Sequence, residues 1–140
     1  ILKGIQMKVT LDADTIQSMN FFQNMTGSSI VDCIAEEDGL YFVVAKGQYG
    51  LSVGKHGAKI KKAESLFKKS IKVFEYSESL EEFVKNAVPE AQEILVKGKA
   101  IEVKVRKSDR AKVIGKAGKN INIIKRFLKR LFGVDDLKIK

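Results

Sequence analysis

The sequence is poor in most of the residues that build covalent or catalytic frameworks. It has one cysteine, one histidine, one proline and no tryptophan in 140 residues. Cys33 has no partner for an internal disulfide, and with His56 alone it cannot complete a structural zinc site. No metal or cofactor is therefore expected, and a lone thiol suits a reducing, cytoplasmic setting. No apolar run approaches the roughly 18–20 residues of a membrane helix, so no membrane span is expected. No carboxylate pair, nucleophile–base pair or ligand cluster stands at interpretable spacing, which argues against an enzyme acting on a small-molecule substrate. Few aromatics lie among the basic residues, which argues against a nucleic-acid surface built on stacking platforms.

Positive charge is what the chain does have. Apolar residues make up 44%, enough for a core, and 26 Lys and Arg face 17 Asp and Glu, a net of +9. The excess is uneven. Residues 1–45 hold two Lys and six acids, a net of −4, whereas residues 53–72 hold seven Lys and one Glu, a net of +6. Residues 97–130 hold thirteen basic residues and two acids, a net of +11. Two separate basic blocks point to a polyanion partner, with a merely soluble surface as the plain alternative.

The blocks coincide with an internal repeat. Val53-Gly54-Lys55-His56-Gly57-Ala58-Lys59-Ile60 matches Ile114-Gly115-Lys116-Ala117-Gly118-Lys119-Asn120-Ile121 at an offset of 61 residues, and Phe67, Lys68 and Lys69 match Leu128, Lys129 and Arg130. Two units follow, 1–76 and 77–140. In the first, Asp12 and Asp14 can cap a helix over Leu11–Met25 that stops at Gly27, with Ile16, Met19, Phe22 and Met25 as its buried stripe. Strand patterns follow at Ile30–Ala35 and Leu40–Ala45, joined at Asp38-Gly39. A basic helix then turns Ile60, Ala63, Phe67 and Ile71 inward, and Ile71–Tyr76 closes the unit as a strand. In the second unit, Ser79-Leu80-Glu81-Glu82 has capping-box form, and Pro89 ends that helix. Strands at Ile94–Val96 and Ala100–Arg106, a helix with Ile121, Ile124, Leu128 and Leu131 inward, and a strand at Leu137–Ile139 complete it. The fold class is α+β. Each unit reads α-β-β-α-α-β, a small three-stranded sheet with helices on one face.

The glycine loops fail the nucleotide-enzyme motifs. Gly50 to Gly54 has three intervening residues where a Walker loop has four, His56 stands where its hydroxyl would be, and neither loop has the first glycine pair of a dinucleotide fingerprint. Glycine still lets the backbone turn sharply, and the following helix offers unpaired N–H groups at its positive end. Lys55, Lys59, Lys116 and Lys119 add charge beside it. Together these make a clamp for a sugar–phosphate backbone, against the plain alternative of a glycine-capped turn between helices.

These two G-x-x-G segments resemble the signature of KH domains, which bind single-stranded nucleic acid about four nucleotides at a time. The helix-first order resembles the type II form. Two such units in tandem resemble the KH region of the NusA family of transcription factors, in its short archaeal form. The resemblance implies a non-catalytic, single-stranded RNA-binding elongation or termination factor; RNA polymerase is a candidate partner only as the acidic protein that a docking module would bind. It assigns Gly54, Lys55, His56 and Gly57 to one clamp and Gly115, Lys116, Ala117 and Gly118 to the other. Lys59, Lys119 and Asn120 complete the candidate set. Asn120 suits either a base edge or a helix cap, and Val53, Ile60, Ile114 and Ile121 suit either a base groove or the core. A ribosomal or RNA-processing KH protein, and a module docking an acidic protein, are the alternatives.

Overall fold

The computed structural model describes residues 13–140. Leu11 and the cap expected at Asp12 lie outside the described residues. The chain divides into two compact units, the first ending at Ser77 and the second spanning Glu78–Lys140.

The first unit runs α1 (Ala13–Thr26), β1 (Ile30–Ala35), β2 (Gly39–Val44), α2 (Tyr49–Val53), α3 (Ala58–Phe67) and β3 (Ser70–Glu75). The expected stop at Gly27 is present: its φ is +78°, and its N–H donates to the Gln23 carbonyl at 2.8 Å. The buried stripe of α1 differs from the expectation. Thr15, Met19, Phe22 and Thr26 are buried, while Ile16 is exposed. Strict three-residue spacing drifts around a helix of 3.6 residues per turn, and alternating steps of four and three stay on one face. Gly39 belongs to β2 and not to the turn, since Glu36 N–H already closes the hairpin on the Gly39 carbonyl.

In the first sheet β2 is central, antiparallel to β1 and parallel to β3. Met19 and Phe22 of α1, Cys33 of β1, Leu40, Phe42 and Val44 of β2, Ala63 of α3, and Ile71 and Val73 of β3 form one core. Phe22 stacks on Phe42 with ring centroids 4.3 Å apart. Ile71 is a strand residue here, and the Glu64 carboxylate accepts its N–H at 2.8 Å, tying α3 to β3.

The second unit repeats the order with α4 (Leu80–Ala87), β4 (Glu93–Lys97), β5 (Ala100–Lys104), α5 (Arg110–Ile114), α6 (Lys119–Phe132) and β6 (Asp136–Ile139). Its sheet has the same plan: β5 is central, antiparallel to β4 and parallel to β6. The Ser79 side chain accepts from Glu82 N–H, so the capping residue sits where the pattern places it. Ile101 and Val103 are buried while Lys104 is exposed, the alternation of a sheet with one wet face. On α6 the buried residues are Ile123, Ile124, Phe127 and Leu128, with Ile121 and Leu131 only half-buried. The stripe is thus turned by about one residue from the expected one. Gly133 ends α6 in the left-handed region, with its N–H on Lys129 and that of Val134 on Leu128.

Candidate nucleic-acid interface

Each G-x-x-G segment is a tight link between two helices. Gly54 closes α2, Lys55–Gly57 form one 3₁₀ turn, and α3 starts at Ala58. Gly115 closes α5, Lys116–Gly118 form the same turn, and α6 starts at Lys119. The short helices α2 and α5 complete the α-α part of the expected order, but no pattern marks their bounds, because five residues cannot show a period and α2 contains a glycine.

The backbones of the two loops match. Gly54 has φ 80° and ψ 171°, and Gly115 has φ 81° and ψ 168°. His56 (55°, 29°) matches Ala117 (55°, 26°), and Gly57 (74°, 16°) matches Gly118 (75°, 13°). The first glycine lies in a region open essentially to glycine alone. A Cβ there would also collide with the following helix, 2.7 Å from Lys59 Cγ at Gly54 and 2.8 Å from Asn120 Cβ at Gly115. His56 and Ala117 are left-handed without being glycine, at a cost of about 1–2 kcal/mol each. Equivalent hydrogen bonds hold both turns: Gly57 N–H on the Gly54 carbonyl at 3.1 Å, and Gly118 N–H on Gly115 at 3.0 Å.

Lys55 and His56 in one loop, and Lys116 and Ala117 in the other, are exposed. They project beside the first turn of a helix, where unpaired N–H groups and the helix dipole favour an anion. Lys59 and Asn120, equivalent positions at the 61-residue offset, act differently. The Lys59 ammonium donates to the carbonyls of Thr26 at 2.9 Å and Leu51 at 3.1 Å. The Asn120 amide donates to the Val113 carbonyl at 2.8 Å. Both side chains tether the loop-bearing helix to the short helix before it. Lys119 is half-buried at the start of α6.

Val53, Ile60, Ile114 and Ile121 are all half-buried, a placement that serves core and groove alike. The structure adds two residues that the sequence reading passed over. Tyr49 and Leu51 on α2 are 47% and 44% exposed and stand just before the first loop. The basic face of α6 is partly neutralised. Lys129 lies 3.0 Å from Asp135 and Lys125 lies 3.9 Å from Asp136. The hydrogen bond from Lys129 holds the Asp135 carboxyl below its usual range. Glu102 is likewise lowered, first by its hydrogen bond from Lys97 and further by Lys140. Among the described residues no His, Cys, Asp or Glu cluster could hold a metal, and no helix is long and apolar enough to cross a membrane.

An α-β-β-α-α-β unit with a glycine-bracketed turn before its last helix is the architecture of a KH domain, and residues 75–140 match that family. Over 139 residues the chain is 35% identical to the probable transcription termination protein NusA of Methanococcus vannielii, covering 95% of this chain and 80% of that one. It is 30% identical over 138 residues to the protein of the same name from Halococcus morrhuae, covering 95% and 99%. The crystal structure of APE1850 aligns with a TM-score of 0.75 at 30% identity, over 93% of this chain and 100% of that one. The chain belongs to the NusA-like family of KH proteins.

Proposed function

We propose that the chain is a tandem pair of type II KH domains, residues 1–76 and 77–140. The pair grips single-stranded RNA through both G-x-x-G loops in a transcription elongation or termination role. Gly54, Lys55, His56 and Gly57 form one clamp, and Gly115, Lys116, Ala117 and Gly118 the other. The observation that carries this reading is the pairwise match of the two loop backbones, each with an exposed lysine directly after its first glycine. A generic helix–helix turn gives no reason for both loops to share a strained left-handed residue, an exposed lysine and a following basic helix. Phosphates would meet the lysine and the helix N-terminus, and bases would lie along the half-buried aliphatic residues flanking each loop. The protein acts by binding and not by catalysis, in keeping with its family.

Lys116→Asp with Ala117→Asp tests the assignment. Two carboxylates would face phosphates, and Asp tolerates the left-handed region better than Ala, so the fold should survive. RNA affinity should fall more than about tenfold in a fluorescence titration, since one charge-assisted contact is worth roughly 1.5–3 kcal/mol. The thermal midpoint should stay unchanged. Equal binding by variant and wild type would overturn the clamp. Docking on an acidic protein such as RNA polymerase would instead leave short RNA unable to displace that protein.

A further inference from the structure

β1 and β4 hold the same place in their sheets, each an outer strand antiparallel to the central one. They are built differently. The register of β1 shifts between Ile30 and Asp32, leaving a bulge, and Asp32 is fully buried, with Ile30, Cys33 and Ile34 buried beside it. A bulge and an inward-pointing charge are two devices that stop an edge strand from recruiting another strand. β4 has neither. Glu93–Lys97 pairs residue for residue with Lys104–Ala100. Leu95 and Val96 are 44% and 41% exposed, and Ile94 is half-buried. Three adjoining apolar residues thus stand on an unblocked edge.

We infer that β4 is an interaction edge whose partner is β4 of a second copy of this chain, added antiparallel so that two three-stranded sheets join into one of six. The register argues for a second copy. The turn between β4 and β5 has two residues, Gly98 and Lys99, which makes Lys97 and Ala100 the hydrogen-bonded closing pair. By alternation Glu93, Leu95 and Lys97 turn their backbone groups toward β5, and Ile94 and Val96 turn theirs outward. Antiparallel pairing about Leu95 sets Ile94 opposite Val96 of the other copy, so the outward groups of both strands meet. The same two-fold sets Glu93 opposite Lys97 at both ends. Any other strand would need both charge signs at this spacing to match as well. Lys97 is free to change partner: its side chain is 62% exposed, and Glu102, now 3.2 Å from it, keeps Lys140 at 3.6 Å.

A contact of two five-residue strands is small, and each copy carries a net charge of +9. Association is therefore weak. Sedimentation velocity on the RNA-free protein, over a concentration series into the millimolar range, is the test. The average mass should climb from 15.6 kDa toward twice that. Lys97→Glu or Glu93→Lys alone places like charges opposite each other and should weaken the dimer about tenfold or more. The double swap, Glu93→Lys with Lys97→Glu, should restore it. Leu95→Arg puts like charges on the axis and should abolish it. These positions are exposed, and circular dichroism melts check that each variant folds. A protein monomeric throughout overturns the proposal, as does a dimer indifferent to the swaps. So does a photocrosslink from position 95 to a foreign chain while the protein alone stays monomeric.

Discussion

Ala117 is an ordinary residue in an uncommon conformation, and its neighbours explain why it stays there. Gly115 must lie close against Asn120, and Gly118 must begin α6 from the left-handed region. The residue between Lys116 and Gly118 is left to absorb the remaining turn. Ala117→Gly should relieve that strain. The relief of about 1–2 kcal/mol exceeds the roughly 0.4–1 kcal/mol that glycine costs through the unfolded chain, so the net change is neutral to mildly stabilising. Gly115→Ala should do the reverse. It meets a glycine-only backbone region with a Cβ only 2.8 Å from Asn120, and should lose roughly 1–3 kcal/mol in urea unfolding. Equal midpoints for the two variants would contradict this account. The glycines and lysines of the loop were legible in the sequence, because their types announce a turn and a charge. The strain at Ala117 was not, since alanine advertises no special conformation. Nor was the use of Lys59 and Asn120 as tethers, because spacing fixes where a side chain starts and not which carbonyl it reaches.

At the scale of elements, β5 and α4 could be read in advance because alternation and a capping box are local patterns. The order placed a helix before each loop, but the bounds of α2 and α5 could not be read, since five residues are too few for a period. The stripes of α1 and α6 were displaced because a helix face depends on packing partners as well as spacing, as Thr15 and Ile123 demonstrate. Two carboxylates of the second unit, Asp135 at the α6–β6 junction and Glu102 on β5, carry a pH dependence that follows from their ion pairs. Asp135 and Glu102 have folded-state values below their unfolded ones. Their stabilising effect is therefore complete above the usual carboxylate range of about 4 and fades as pH falls through the lowered values. Thermal midpoints of the wild type should drop on acidification below about pH 4 more steeply than those of Asp135→Asn with Glu102→Gln. Between pH 5 and 7 the two curves should run parallel, and a divergence there would point to other groups.

Over the whole molecule the charge is segregated along the chain, acidic in residues 1–45 and basic around both loops. Affinity for RNA should therefore fall steeply with salt. Each phosphate contact on a single strand contributes about 0.7 to the slope of log K against log salt. Lys55→Met and Lys116→Met, at exposed positions, should each reduce the slope by about that much. Lys125→Met and Lys129→Met should reduce it less, since Asp136 and Asp135 already meet those ammonium groups. Equal effects at all four positions would mean that RNA displaces the carboxylates.

The tethers also set an order of events in time. Asn120 reaches a carbonyl seven residues away, so the second loop has its anchor as soon as α5 and α6 meet. Lys59 has a comparable local anchor at Leu51 and a second one 33 residues back at Thr26, so the first loop is fully fastened only once α1 has docked. Closing the longer span costs more chain entropy. The last tether of the first loop thus needs one more element in place than that of the second.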